Sequence, residues 1–281
     1  MYEKTGYLDT QLKLFYLSDT MNWECPYHYH DFDKLTIFLQ GRVTYEIEGQ
    51  SYLLQPYDIV VVPAGQMHRP IISDTSVYER IIAYIAPSFF DIYKQRHCDL
   101  SGIFTQLSSH VLRQSQEAGN VYGTACRLRQ AWAETDEDVS LLQETLFLEL
   151  MIYLAKAIRK KNVDYVKTGS HNVKIQQIMH YINDHIAQPL SVPLLARQFY
   201  VSPDYLMHLF KGETGYSLGN YITTKRLLAA RTLMEKDIPL TTVCYDSGFK
   251  NYSTFYRAWK KFYGVSPKKG ISNTLSEGPI E

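Results

Sequence analysis

The chain has 281 residues, enough for about two ordinary domains. Its composition, 45% hydrophobic and 21% charged residues, is typical of a soluble globular protein. Basic and acidic side chains cancel overall, but residues 1–187 carry 17 Lys/Arg against 22 Asp/Glu, and residues 188–281 carry 12 against 7. A neutral chain with a basic C-terminal part indicates that this part meets a polyanion.

The N-terminal sequence and the cysteines indicate the cellular compartment. The first 15 residues carry charges where a signal peptide needs an apolar core. The most apolar window, 141–158, is interrupted by Glu144, Glu149 and Lys156, so we predict no membrane span. The four cysteines are scattered without a CxxC pair, which favours reduced thiols over a disulfide framework or a zinc site. We therefore predict a cytoplasmic protein.

The first ~90 residues are predicted to form short β-strands. The stretch 35–54 has two β-rich runs around Gly41 and a turn signal at 48–50. The stretch 59–65 is an apolar run stopped by Pro and Gly, and 76–87 is again β-rich. Short strands separated by turn signals indicate a β-sandwich or a small barrel.

From about residue 100 the apolar residues follow a helical period. The stretch 138–160 is apolar almost all round, so a helix there must be covered on two sides. One side is expected to pack on the β-rich domain. The other side packs either on a partner subunit or within the same domain, and Leu142, Leu146, Leu150 and Tyr153 are the candidates for contact with a partner. The polar stretch 160–171 then breaks the pattern and predicts a linker.

An internal repeat follows the linker. The stretch 195–217 resembles 243–266: Phe210-Lys211 matches Trp259-Lys260, and Gly215 matches Gly264, at an offset of 49 residues. The upstream halves of the two stretches match at an offset of 48. A repeat of this kind indicates one structural unit used twice.

Each repeat has the signals of a helix-turn-helix unit. Ser191 is placed to cap a short helix that ends near residue 199, and Ser202-Pro203 begins a second helix with a cap and a first-turn proline. In the second repeat, Gly248-Phe249 predicts the turn, with the phenylalanine between the helices. Asn251 is placed to cap the helix that follows.

Helical periodicity separates a core face from an outward face in each second helix. The predicted core residues are Tyr205, Leu206, Leu209 and Phe210 in the first helix, and Phe255, Trp259 and Phe262 in the second. The predicted outward residues are Asp204, Met207, His208 and Lys211, and Ser253, Tyr256, Arg257 and Lys260. Arg257 can donate two hydrogen bonds to guanine. Lys211, Lys225, Lys260 and Lys261 suit phosphates, although any single lysine can equally be a solvated surface charge.

The C-terminal part resembles the AraC-type transcription regulators. The residues that carry the resemblance are LA (195–196), S-x-x-YL (202–206), FK (210–211), TG (214–215), KRL (225–227), GF-x-x-x-S-x-F (248–255) and GVSP (264–267). The resemblance implies a double helix-turn-helix joined by a long helix over 217–235, with both units in adjacent major-groove segments of promoter DNA. It also implies that the protein activates transcription from that promoter by contacting RNA polymerase, as members of this family commonly do. Asp204 and Met207 depart from the family's pattern, so the first unit is expected to contribute less to base recognition.

The N-terminal part resembles the cupin barrel that many AraC-type regulators carry. His28, His30 and Gly41, followed by Pro63-x-Gly65-x-x-His68, fit the two cupin motifs in order and spacing. Two positions depart from the motifs. Metal-binding cupins have a glutamate four residues after the second histidine, where this chain has Lys34, and they have a glycine at Tyr57.

Three interpretations of the histidines are open. They form a metal site, they are hydrogen-bonded barrel residues without a ligand, or they belong to a pocket for a small-molecule effector. An ammonium in place of a carboxylate disfavours the metal. We therefore predict a donor-rich effector pocket for a sugar or an organic acid, with no metal and no cofactor. Its predicted residues are His28, His30, Lys34, His68 and Tyr84.

Together these features predict an α+β protein of two domains. A cupin-like barrel followed by dimerising helices spans 1–160, a linker 161–171, an all-α double helix-turn-helix domain 172–271, and a tail 272–281. We interpret the chain as a homodimeric, effector-responsive transcription regulator, most simply an activator, rather than an enzyme. The alternatives are a cupin metalloenzyme fused to a DNA-binding tail, against which Lys34 counts, and a constitutive regulator whose barrel is only a scaffold.

Overall fold

The computed structural model describes residues 8, 10–20, 25–73, 77–105, 109–113, 119–160, 164–166, 173–234 and 238–268. The chain divides into two compact units, Met1–His171 and Asn172–Glu281. The predicted tail, 272–281, lies outside the described residues, as does most of the predicted linker, 161–171.

The described residues of the first unit contain two antiparallel β-sheets. The strands are β1 Leu12–Asp19, β2 Asp33–Gln40, β3 Val43–Ile47, β4 Gln50–Leu53, β5 Ile59–Val62, β6 His68–Ile72, β7 Tyr78–Ile85, β8 Val111–Arg113 and β9 Asp164–Tyr165. The larger sheet has the order β1-β7-β2-β5-β8-β9, and the smaller sheet has the order β4-β3-β6. β9 lies within the predicted linker, where it pairs with β8 and forms one edge of the larger sheet.

Both faces of the larger sheet are buried, which explains why a central strand such as β5 is apolar at every position. Ile59 and Val61 pack in a core beneath the helices of this unit, whereas Val60 and Val62 pack in the core between the two sheets. Alternating residues of a strand point to opposite faces, so a strand buried on both faces cannot alternate apolar with polar residues. The side chains between the sheets form the interior of the predicted barrel.

Two short loops of the β-rich unit have left-handed backbone. Glu48 and Gly49, which join β3 to β4, have φ values of 48° and 77°, the geometry that a two-residue hairpin turn requires. This agrees with the predicted turn at 48–50. Tyr57, at the cupin glycine position, has a φ of 69°. Its ring packs edge-to-face on Tyr122 and lines an outer cleft of about 530 Å³.

The helices of the first unit cover the outer face of the larger sheet. They are α1 Asp91–Lys94, α2 Gly102–Thr105, α3 Asn120–Gln130 and α4 Val139–Arg159. The buried residues of α4 include Leu146, Phe147, Leu150, Met151 and Leu154. Its exposed apolar residues are Leu141, Leu142 and Ile152.

The position of α4 corrects part of the predicted dimer face. Leu146 and Leu150 were candidates for contact with a partner subunit, but they are 7% and 0% exposed and pack inside their own unit. Leu142 remains 38% exposed, and Tyr153 is half-buried. A helix that packs against both a sheet and α3 uses most of its apolar circumference within one unit.

The second unit is helical, and its elements confirm the predicted fold class. They are α5 Val173–Asp184, α6 Val192–Gln198, α7 Pro203–Thr214, α8 Leu218–Met234, α9 Leu240–Asp246 and α10 Tyr252–Tyr263. The pairs α6–α7 and α9–α10 are the two helix-turn-helix units, and α8 is the long helix between them.

The predicted helix caps are present. Ser191 accepts a hydrogen bond from the Leu194 backbone, Ser202 from the Tyr205 backbone, and Asn251 Oδ1 from the Thr254 backbone at 2.9 Å. Each cap satisfies a backbone N–H that the first helical turn leaves unpaired.

The turn of the second helix-turn-helix unit depends on Gly248. Its φ is 90°, and a Cβ atom there would lie 2.3 Å from the Ile186 carbonyl oxygen. Only glycine fits this conformation and this close approach of backbone. Phe249 is buried beside Phe255, with 5.3 Å between ring centroids, and fills the angle between α9 and α10 as predicted.

Candidate recognition helices and effector site

The recognition helices α7 and α10 correspond position by position. Both contain 12 residues, and their bounds are offset by the 49 residues of the repeat. Leu206 and Phe210 are buried in the first, and Phe255 and Trp259 in the second. These residues fix which face of each helix packs on its unit and which face is free.

The structure leaves nearly all of the predicted DNA-contacting residues exposed. The exposed set is Asp204, Met207, His208 and Lys211 on α7, and Ser253, Tyr256, Arg257, Lys260 and Lys261 at the corresponding face and C-terminal turn of α10. Arg257 Nε donates a long hydrogen bond, 3.4 Å, to the Ser253 carbonyl one turn earlier. This contact holds one edge of the guanidinium against the helix, and the residue as a whole is exposed.

Two side chains differ from the sequence prediction. Tyr205 is predicted to lie in the core of α7, but it is 53% exposed on the first turn of the helix. Lys225, predicted to meet a phosphate, is half-buried on α8 with its Nζ atom 5.4 Å from the Tyr221 ring centroid. A cation over an aromatic face has already gained part of the stabilisation that a phosphate would supply.

In the first unit, the structure brings together the three predicted histidines, which we call the histidine cluster: His28, His30 and His68. His28 and His68 form a β-bridge in which each backbone N–H donates to the other's carbonyl, at 3.0 and 2.9 Å. Their ring centroids are 4.4 Å apart, and His30 lies 5.2 and 5.0 Å from them. One ring nitrogen from each of the three residues lies within 4.8 Å of the other two.

Backbone carbonyls fix the proton on two of these imidazoles. His28 Nδ1 lies 3.0 Å from the Pro26 carbonyl oxygen, and His68 Nδ1 lies 2.9 Å from the Gln66 carbonyl oxygen. A carbonyl oxygen only accepts hydrogen bonds, so each Nδ1 carries the hydrogen. The Nε2 atom of each neutral ring is therefore unprotonated and can accept a hydrogen bond. Burial lowers the pKa of His28 to about 4 and that of His68 well below 6.5, and the nearby Lys34 lowers both further.

Lys34 lies on β2 beside the histidine cluster. Its Nζ atom is 3.4 Å from His68 Nε2 and 5.9 Å from the Tyr45 ring centroid, and the residue is 7% exposed. Burial lowers its pKa from 10.5 to about 8, and the positive charge of Arg80 adds to this, against an opposing effect of Cys25. Lys34 is therefore the hydrogen-bond donor next to two imidazole acceptors.

Strand pairing places further residues around Lys34. Tyr84 of β7 is its register partner, and the Tyr84 ring lies 5.4 Å from that of His30. Thr36, two residues along β2 and so on the same face, is 1% exposed. Its hydroxyl has no hydrogen-bond partner among the described residues, so it is an unused polar group inside the barrel. The sequence analysis missed Thr36, although the period of two along β2 from Lys34 points to it.

The residues of the cluster do not fit the metal that a cupin fold implies. Lys34 occupies the position of the carboxylate ligand, and its Nζ atom already shares a hydrogen bond with the His68 Nε2 lone pair. A cationic or neutral amine brings no negative charge to a divalent ion, and an ammonium repels it. We therefore assign no metal to these histidines.

The tautomers also correct the expected character of the pocket. The sequence alone predicts imidazoles that act as hydrogen-bond donors suited to a hydroxyl or a carboxylate. In the structure His28 and His68 present lone pairs, which accept from hydroxyl groups and repel carboxylate oxygens.

Known proteins match both halves of the chain. Residues 13–151 match the family model described as the AraC-like ligand binding domain, and residues 195–270 match the model described as a helix-turn-helix domain. The chain belongs to the AraC-type transcription regulators. It is similar to the HTH-type transcriptional activator RhaS of Klebsiella pneumoniae, at 23% identity over 257 residues that cover 86% of each chain.

Solved structures also resemble this AraC-type regulator. ToxT from Vibrio cholerae O395 is 12% identical with a TM-score of 0.39, and the match covers 95% of this chain and 99% of ToxT. The DNA-binding domain of AdpA, solved in complex with a target DNA, is 22% identical with a TM-score of 0.35, over 37% of this chain and 96% of that domain. In the part of the regulator that the structure describes, none of the helices has the length and apolar character to cross a bilayer.

Proposed function

We propose that this AraC-type regulator is a cytoplasmic promoter-binding activator whose effector is a small polyhydroxy metabolite bound at the histidine cluster. The effector class rests on one observation: the Pro26 and Gln66 carbonyls leave Nε2 of His28 and of His68 unprotonated, so both nitrogens are acceptors, and that of His68 is already shared with Lys34. Buried acceptors favour a ligand that donates hydrogen bonds, because an unpaired buried polar group destabilises the complex. Of the two predicted ligand classes, sugars meet this requirement and carboxylates do not.

The exposed faces of α7 and α10 support promoter recognition. Arg257 is placed to donate to a guanine base edge, and Lys211, Lys260 and Lys261 are exposed for phosphate contacts. The name of the relative RhaS, a transcriptional activator, supports activation as the outcome. Activation implies a contact with RNA polymerase, which we propose as the second macromolecular partner.

The exposed apolar residues of α4 support a homodimer. Leu141, Leu148 and Ile152 follow the i, i+7, i+11 spacing of one helical stripe. Leu141 and Ile152 are 66% and 37% exposed, and Leu148 between them is half-buried against the core of its own unit. A stripe of apolar residues on the exposed face of a helix is a common interface for a second copy of the same chain. Two copies would present four helix-turn-helix units to a promoter.

The test is a thermal-shift series on the full chain with an aldose, its alditol and its aldonic acid. These compounds share a carbon skeleton, so they separate hydroxyl from carboxylate recognition. We expect the aldose or the alditol of the right skeleton to raise the unfolding temperature, because a ligand at 100 times its Kd stabilises by about 2.7 kcal/mol. Stabilisation by the aldonic acids alone contradicts the proposed ligand class.

A matched variant localises the site. Lys34→Met removes the donor beside His68 but alters nothing in the helix-turn-helix unit. We expect it to lose the thermal shift while it still binds promoter DNA. Two results together favour the alternative of a scaffold-only barrel. One is that no member of the series shifts the unfolding temperature, and the other is that Lys34→Met leaves regulation of the promoter unchanged.

A further inference from the structure

Lys34 is an amine buried without a counter-charge. It is 7% exposed, and within the described part of the chain no carboxylate pairs with it. The titratable and charged groups that surround it are Cys25, His28, His30, Tyr45, His68, Arg80 and Tyr84. A buried ammonium without an anionic partner is strongly disfavoured against the neutral amine.

Arg80, a second buried cation of this unit, differs from Lys34 because it has a counter-charge. Arg80 donates from both terminal nitrogens to the Asp19 carboxylate, at 3.1 Å each, and stacks 4.0 Å over the Tyr78 ring. Its charge is compensated, whereas that of Lys34 is not. Lys34 can therefore present an amine lone pair to a ligand, which the charge-compensated Arg80 guanidinium cannot.

His68 orients that lone pair. The Lys34 amine donates one N–H to His68 Nε2 at 3.4 Å, and the Gln66 carbonyl holds the opposite ring nitrogen protonated. The imidazole can therefore take a proton at one defined atom and return it. A neutral amine beside an imidazole base is the arrangement that carbonyl condensation requires.

We propose that Lys34 captures the carbonyl group of the effector as an imine, so that the effector is a hydroxylated aldehyde or ketone. This inference rests on the proposed effector site and sharpens its ligand class. A hydroxyl group of the effector donates to the unprotonated Nε2 of His28, and the carbonyl carbon meets the Lys34 amine that His68 Nε2 orients. Thr36, with its unused buried hydroxyl, supplies a further hydrogen-bond group on the same face of β2.

The step balances without an oxidant or a reductant. The Lys34 nitrogen lone pair forms a C–N bond to the carbonyl carbon while the C=O π bond breaks, and one of the two nitrogen protons passes by way of His68 Nε2 to the oxygen to give a neutral carbinolamine. The second nitrogen proton then passes by the same imidazole nitrogen to the carbinolamine hydroxyl, which leaves as water while the C=N bond forms. Addition of water reverses the reaction, so the capture is reversible.

The experiment treats the full chain with glyceraldehyde and traps imines with sodium borohydride, followed by peptide mass mapping. The exposed residues Lys211 and Lys260 are internal controls for ordinary lysine reactivity. A pKa of about 8 in place of 10.5 gives roughly 300-fold more neutral amine at neutral pH. After allowance for restricted access, we expect the Lys34 adduct at glyceraldehyde concentrations at least about tenfold lower than those that modify the controls. Glycerol has hydroxyl groups but no carbonyl group. It should protect Lys34 from modification by glyceraldehyde without itself forming an adduct.

The outcome separates this inference from the proposed function. Adducts on Lys211 and Lys260 with Lys34 unmodified overturn the imine, whatever the thermal shifts show. If an aldose and its alditol then stabilise the protein equally, the polyhydroxy site stands and its binding is noncovalent. In wild type we expect the aldose to stabilise more than the alditol, and we expect Lys34→Gln to abolish that difference.

Discussion

Tyr200 and Gly248 occupy the same position in the turns of the two helix-turn-helix units, and both have left-handed backbone, with φ values of 54° and 90°. They are 48 residues apart, which is the offset of the upstream halves of the repeat. Gly248 is confined by the Ile186 carbonyl, whereas the Tyr200 side chain is 96% exposed. The first unit therefore holds a side chain in a strained conformation that the second unit avoids with glycine.

We expect Tyr200→Gly to stabilise the protein. Relief of the left-handed strain should raise the free energy of unfolding by about 0.5–1 kcal/mol, after the larger chain entropy of glycine in the unfolded state is subtracted. Tyr200→Ala keeps the Cβ atom and should leave stability unchanged within a few tenths of a kcal/mol. Gly248→Ala should be strongly destabilising. Urea denaturation measures all three, and a glycine variant less stable than the alanine variant at 200 would contradict the strain argument.

Substitutions on α10 should separate base recognition from phosphate contact. Arg257→Ala should weaken binding to the specific promoter by about 1–3 kcal/mol and relax preference at one base pair. Lys261→Ala should weaken binding to all sequences similarly and lower the salt dependence. Titration of labelled promoter and scrambled DNA at two salt concentrations distinguishes the two effects.

The first recognition helix supplies a matched control. His208 of α7 corresponds to Arg257 of α10 at the 49-residue offset, and its neighbours Asp204 and Met207 are poor phosphate partners. We expect His208→Ala to reduce promoter affinity less than Arg257→Ala does. Unchanged promoter binding in Arg257→Ala would show that the assigned outward face of α10 is wrong.

The helix-turn-helix domain could be predicted from local sequence signals, whereas the effector site could not be fully predicted. Caps such as Ser202 and Asn251 act over three residues, so their pattern is visible in the sequence. The tautomers of His28 and His68 depend on backbone carbonyls, whose direction only the folded β-bridge fixes. The strand β1 could not be predicted either, because its partner β7 lies far away in the sequence. For the same reason the sequence did not indicate that both faces of the larger sheet are buried.

The exposed stripe of α4 should control the oligomeric state. Leu141→Glu combined with Ile152→Glu places charges at exposed positions, so the chain should remain folded and become monomeric. Leu150→Glu is the matched control at a fully buried position of the same helix, and we expect it to unfold the first unit. Light scattering with circular dichroism measures both properties. A wild-type monomer at high micromolar concentration would contradict the proposed dimer.

Elemental analysis should find no stoichiometric transition metal in protein purified without chelator. Lys34 at the carboxylate position and its hydrogen bond to His68 Nε2 leave the three imidazoles without the anionic ligand of a cupin metal set. About one metal ion per chain would reverse this assignment and revive the metalloenzyme alternative. Addition of zinc to the wild-type chain should likewise give no thermal shift beyond that of a Lys34→Met control.

The histidine cluster should make the first unit less stable in acid. The pKa of His28 is about 4 in the folded protein, below its ordinary value of 6.5, because burial disfavours the charged imidazole. Between these two pH values the unfolded chain binds a proton that the folded chain does not, so stability falls as the pH falls through this window. The full effect on the free energy of unfolding is about 3 kcal/mol near pH 4, since each pKa unit corresponds to about 1.4 kcal/mol.

The variant His28→Gln tests this prediction. It removes the titration of His28 and should show a shallower decline in stability between pH 6.5 and 4, although His68 still contributes in the same direction. Urea midpoints across this range measure the slopes, and equal slopes in the two proteins would mean that His28 is not buried in its neutral form.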